Sequence, residues 1–106
     1  MQFIVIARGI EAPVAPPPQE LAMARATYEQ LASGDDPRIK AVYPFADTRA
    51  VVLVVDMDSA DELAQWLFSL PGFRQATFES HPITSLENVL SILSQTEQAI
   101  ASQVGQ

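Results

Sequence analysis

The sequence predicts an α+β domain in the order β-α-β-β-α-β, followed by one more helix. Three observations lead there. Ala50-Val51-Val52-Leu53-Val54-Val55-Asp56 is a run of β-branched and apolar residues, apolar on both faces as a central strand is. Ser59-Ala60-Asp61-Glu62 and Thr84-Ser85-Leu86-Glu87 each set a hydroxyl three residues before a glutamate, the pattern of a capping box at a helix start. Proline and glycine punctuate the chain between periodic segments at Pro16-Pro17-Pro18, Gly34, Pro44 and Pro71-Gly72.

Residues 2–8 alternate around β-branched types and open the fold as a strand. Ala12-Pro13-Val14-Ala15-Pro16-Pro17-Pro18 must then run extended, since proline fixes φ and removes an amide donor. Pro18 suits the first turn of a helix. That helix presents Leu21, Ala24, Tyr28, Leu31 and Ala32 on one face and stops at Gly34. Residues 38–45 form a second strand, with Pro44 implying an edge position or a bulge. Ala46-Asp47-Thr48-Arg49 connects it to the strand at 50–56, Asp47 and Arg49 reading as turn residues paired across the loop. The helix begun at Ser59 points Leu63, Leu67 and Leu70 to a core beside Trp66, and ends at Pro71-Gly72. Residues 74–80 give the fourth strand, terminated by Pro82. The last helix lines Leu86, Val89, Leu90, Leu93, Ile100 and Val104 along one stripe, and Gly105-Gln106 should fray.

Two split β-α-β units make a ferredoxin-like sandwich, a four-stranded antiparallel sheet with two helices on one face. The expected organisation is a single domain over 1–106, with a core at 1–83 and a C-terminal helix at 84–104. Two helices leave one sheet face open. Val52 and Val54 point opposite to Val51, Leu53 and Val55, and Ile4 and Ile6 alternate with Phe3 and Val5 in the same way. All are apolar, so an uncovered face would expose a patch larger than soluble monomers tolerate. The terminal helix or a second copy of the sheet would cover it, so a homodimer or larger homo-oligomer is expected.

Composition narrows the function. Six Lys and Arg stand against thirteen Asp and Glu, a net charge of −7 that disfavours a nucleic-acid partner. No cysteine and one histidine exclude thiolate chemistry, disulfides and a metal site rich in Cys or His. No glycine-rich phosphate loop is present. The N-terminus lacks a signal-peptide pattern and no apolar run nears membrane-helix length, so a cytoplasmic protein with no membrane partner is expected.

This order of elements, with Asp56-Met57-Asp58-Ser59-Ala60-Asp61-Glu62-Leu63 after the third strand and Leu70-Pro71-Gly72-Phe73 closing the helix, resembles the muconolactone isomerase-like proteins. That group belongs to the dimeric α+β barrels, with YCII-related domains among its relatives. The likeness runs from the first strand to about Ile83. It implies a homodimer or ring, a small pocket beside the sheet, and movement of a double bond in a lactone by proton transfer without metal or organic cofactor. Ser80-His81-Pro82 follows the last strand sooner than the family's His-Pro pair does, and the terminal helix is an addition. No catalytic residue is carried over from the resemblance.

Proton transfer beside a carbonyl needs a base, an acid and a group that holds the developing enolate charge. His81 carries an imidazole able to shuttle a proton and Glu79 shares its side of the strand, so the two could pair as acid and base. The plainer account makes His81 a surface residue held extended by Pro82, and Glu79 a solvated charge. Tyr43 is the third catalytic candidate, and Arg8 and Tyr28 are the candidates for substrate binding, Arg8 through its planar fork. A rim ion pair for Arg8 and ordinary ring packing for the tyrosines are the competing accounts. Two functions follow: a cofactor-free isomerase-like enzyme acting on a small organic acid or lactone, or a non-catalytic module for ligand binding or assembly.

Overall fold

A computed structural model describes residues 1–11 and 15–104. The expected extended path at 12–14 and fraying at 105–106 lie outside the described residues. The elements follow in the order β1 (Gln2–Gly9), α1 (Pro17–Ala32), β2 (Ile39–Pro44), β3 (Ala50–Asp56), α2 (Ala60–Ser69), a 3-10 turn (Phe73–Gln75), β4 (Ala76–Pro82) and α3 (Leu86–Val104). The four strands form one antiparallel sheet in the order β2-β3-β1-β4. This is the ferredoxin-like arrangement the sequence predicts.

Seven consecutive pairs, from Gln2 with Asp56 to Arg8 with Ala50, lock β1 against β3. Because strand side chains alternate, that register sorts every residue of both strands onto one face. Phe3, Val5, Ala7, Val51, Leu53 and Val55 go to the buried face, under Leu31 of α1 and Leu63, Trp66 and Leu67 of α2. Ile4, Ile6, Val52 and Val54 go to the other face, where no helix of the chain covers them and they remain half-buried. The open face therefore exists as the alternation requires.

The helix ends show which sequence signals hold. Ser59 accepts from the Glu62 amide at 3.1 Å, and the Glu62 carboxylate accepts in return from the Asp58 amide at 2.6 Å, one residue before the cap. At the last helix the cap moves by one residue. Ser85 accepts from the Asn88 amide at 3.0 Å, and the Thr84 hydroxyl accepts from the Asn88 side chain, so Glu87 plays no part. Gly34 follows α1 with φ of 75°, the left-handed conformation that ends a helix. Pro44 ends β2 at the sheet edge, and β2 also carries a bulge between Ile39 and Ala41.

Other expectations need correction. Arg74 and Gln75 belong to the 3-10 turn, and β4 runs on through His81 to Pro82, paired along β1. The turn follows from the bend at Pro71-Gly72, which leaves Phe73–Gln75 bonded back to Leu70 and Gly72 before extension resumes. Leu21 is exposed, so α1 buries a narrower face than its periodicity suggests. The apolar stripe of α3 faces away from its own body. Leu86, Val89, Leu90, Leu93 and Ile100 are all exposed, and the chain measures 70 Å along its longest axis.

One ion network ties the start of β2 to α2. Arg38 grips Asp36 through two nitrogens, at 2.9 and 2.8 Å, and reaches Glu62 at 3.1 Å. Its hydrogen bonds hold the Asp36 carboxyl below its usual 3.8, and the Trp66 indole adds to this. The indole N–H is buried and has no hydrogen-bond partner among the described residues. The Asp58 amide, then Arg38, hold Glu62 below its usual 4.5. Depressed carboxyls stabilise the fold above their unfolded pKa values, and that contribution disappears as pH falls through the folded values. The melting temperature of the wild type should thus drop more steeply below about pH 5 than that of Arg38→Met, the two curves converging in acid. Parallel curves across a pH series of thermal melts would contradict this coupling.

Candidate functional site

A cavity of about 200 Å³ lies between the buried face of the sheet and α1, closed at one end by the α2–β4 connection. Its walls are mainly apolar, with Leu31, Leu53 and Phe78 among them. Four polar side chains reach it: Thr27 and Tyr28 from α1, Arg49 from the β2–β3 hairpin, and Gln75 from the 3-10 turn. An apolar cleft with a few convergent polar groups is the usual form of a small-molecule site.

Each polar group is positioned by its element. Thr27 and Tyr28 come from adjacent positions of α1, one turn before the buried Leu31. The Thr27 hydroxyl donates to the Met23 carbonyl at 3.0 Å and accepts from the Gly72 amide at 2.7 Å, which fastens the α2–β4 connection to α1. Gln75 is buried, and its side-chain nitrogen donates to both the backbone carbonyl and the carboxylate of Glu20, at 2.7 and 2.6 Å. Arg49 is held by its backbone, whose carbonyl accepts from the Gly9 amide at 2.6 Å. One Arg49 guanidinium nitrogen donates to the Ile10 carbonyl at 3.3 Å. Among the described residues no carboxylate pairs with Arg49, so the expected Asp47–Arg49 turn pair does not form. A guanidinium without a carboxylate at an apolar cavity is suited to an anionic ligand group.

The residues singled out from the sequence divide between the two faces of the sheet. Tyr28 lines the cavity. The pairing of β1 with β3 and β4 sets Arg8, Glu79 and His81 on the open face instead, with Glu79 beside Ile6 and His81 beside Ile4. Glu79 and His81 do meet there, His81 Nε2 lying 3.5 Å from Glu79 Oε2 with both side chains well exposed. Arg8 sits diagonally from Glu79 on the neighbouring strand. Tyr43 shares that face through its pairing with Val52. It stands on the far edge strand, three strand spacings or about 14 Å from Glu79. No imidazole or carboxylate lines the cavity. Among the described residues no cluster of three or more His, Cys, Asp or Glu could hold a metal.

Of the polar side chains at the cavity, Thr27 and Gln75 carry no pattern in the sequence, and Arg49 reads there only as a turn residue paired with Asp47.

Gly72 is under a packing constraint at this wall. A Cβ there would lie 2.8 Å from the Thr27 hydroxyl and 3.0 Å from the Gln75 side-chain oxygen. Gly72→Ala is therefore expected to lower the melting temperature, by a shift corresponding to roughly 1–3 kcal/mol. Thr27→Ala in the same background should give back part of that loss. A fully stable single variant would show that this contact is not tight.

Comparison with known proteins bears on the fold. No family model matches the chain, and no curated protein matches it in sequence. Among solved structures, muconolactone isomerase superposes with a TM-score of 0.68 at 21% identity, over 80% of this chain and 90% of that one. A hypothetical protein from Pyrococcus horikoshii follows at 13% identity and a TM-score of 0.44, covering 81% of this chain and 94% of its own, too distant to bear on the site. The chain has the muconolactone isomerase-like fold. Among the described residues no helix is long and apolar enough to cross a membrane.

Proposed function

We propose that this chain is a cytoplasmic, homo-oligomeric muconolactone isomerase-like protein that takes a small organic acid or lactone into the cavity between sheet and α1. The observation that carries the reading is Arg49, a guanidinium without a carboxylate partner among the described residues, on a mainly apolar cavity that also holds Tyr28. Arg49 supplies the carboxylate contact first sought at Arg8, while Tyr28 keeps the binding role expected of it. The volume, about 200 Å³, suits a ligand of few heavy atoms.

Isomerisation by proton transfer next to a carbonyl is the activity this reading assigns to such a ligand. The Tyr28 hydroxyl would donate to the oxygen on which charge develops, and apolar walls strengthen a hydrogen bond of that kind. The step also needs a base to take the proton and return it, which the cavity lining does not hold. Glu79, His81 and Tyr43 are the acid–base candidates, and they stand on the opposite face of the sheet in their own chain. In this reading a second copy would have to bring one of them to the ligand. The oligomer is supported by the uncovered row of Ile4, Ile6, Val52 and Val54, which a second copy would bury.

The test is calorimetric titration of small mono- and dicarboxylic acids and of muconolactone, with an isomerase assay on whichever compounds bind. Arg49→Met should weaken carboxylate binding by roughly ten- to a hundredfold, the loss of one charge-assisted hydrogen bond. Tyr28→Phe should lower turnover more than affinity. Glu79→Gln combined with His81→Asn should leave binding unchanged. Binding that survives Arg49→Met but is lost in the Glu79/His81 double variant would move the site to the open face.

A further inference from the structure

We infer that Gln75 is a second recognition point of the cavity, a fixed hydrogen-bond acceptor that selects a small carboxylic acid carrying a hydroxyl group. The inference rests on the reading of Arg49 as the carboxylate anchor and adds what else the ligand must offer. Gln75 is only 7% exposed and lines the cavity. Its side-chain nitrogen has two N–H groups, and Glu20 supplies an acceptor for each, the backbone carbonyl at 2.7 Å and the carboxylate at 2.6 Å. The Glu20 carboxylate is held in turn, accepting from the Ala15 amide at 2.9 Å. Turning the Gln75 amide over would set its oxygen against two other oxygens, so the orientation is fixed. Its Oε1 then lies at the Gly72 wall of the cavity, 3.0 Å from where a Cβ on that residue would stand. Among the described residues no group donates to Oε1. Trp66 Nε1 is the one sealed side-chain atom without a partner among those residues, so Oε1 is not sealed and opens on the cavity.

One residue holds the cation and the acceptor near each other. The Ile10 amide donates to the Gln75 backbone carbonyl at 2.9 Å, and the Ile10 carbonyl accepts from the Arg49 guanidinium at 3.3 Å. The nitrogen and oxygen of one residue are about 3 Å apart, so the guanidinium and the Gln75 backbone lie within roughly 9 Å. A ligand with its carboxylate and its donor a few bonds apart spans that distance. The chemistry of the walls selects the donor. No carboxylate lines the cavity, so an ammonium group would lose its hydration without gaining a counter-ion. A lactone ring offers only acceptors and would leave Oε1 buried without a donor, which is unfavourable. Thr27 does not compete for the role, because its hydroxyl already donates to Met23 and accepts from Gly72. A hydroxyl is the smallest neutral group that satisfies Oε1 within about 200 Å³.

The test is an NMR titration of the full-length protein with butyrate and with the three monohydroxybutyrates. At least one hydroxy acid is expected to bind about fivefold or more tighter than butyrate, the worth of one hydrogen bond. Gln75→Met should bring that preference close to unity, whereas Arg49→Met should weaken both acids by similar factors and keep it. In the wild type the Gln75 side-chain amide resonance should shift with the preferred hydroxy acid and not with butyrate. That readout needs no variant, and a Gln75 that only latched the turn to α1 would move neither the preference nor the resonance. Equal binding of all four acids through Arg49 would overturn the inference and leave the carboxylate site intact. A preference that survives Gln75→Met would overturn it as well. Binding that is indifferent to Arg49→Met, or no binding at all, would remove the carboxylate site and the inference with it.

Discussion

The antiparallel register of β1 with β3 is the constraint on which the rest of the molecule depends. It joins the two central strands over seven consecutive pairs, and a slip of one residue would turn Phe3, Val5, Leu53 and Val55 out of the core. Both candidate regions inherit their contents from it. The cavity is on the side to which Ala7, Val51 and Leu53 point, and the Glu79–His81 pair is on the side shared by Ile4 and Ile6. The Glu79–His81 pair and the Arg49 guanidinium thus end up separated by the thickness of a sheet.

Legibility followed the range of the interaction. Strand alternation and the Ser59 cap act over two to four residues, so the architecture and most boundaries could be read directly. The uncovered face was equally readable, being alternation applied twice. Signals weakened where a residue's role depends on a distant element. Arg38 spans from β2 to Glu62 in α2, and nothing in its neighbourhood announces that Glu62 is both a cap and an ion partner. Gln75 is buried because Glu20, far away in sequence, offers two acceptors. For the same reason the sequence pointed to Arg8 as the carboxylate clamp and to Arg49 as a turn residue, since choosing between them requires knowing which face the helices cover.

The last helix shows the limit from the other direction. Its periodicity correctly predicted a helix with one apolar side, yet periodicity says only that a stripe exists and not what lies against it. The stripe is unburied within the chain. Binary patterning marks surface for burial without specifying whether the same chain or another molecule buries it.

Gly9 has a consequence beyond the strand it ends. Its amide holds the backbone of Arg49, and a Cβ at this position would sit 3.1 Å from the Arg49 Cβ and 3.3 Å from its Nε. The start of the Arg49 side chain is thereby given its place at the cavity rim by a residue with no functional group, through the room it leaves.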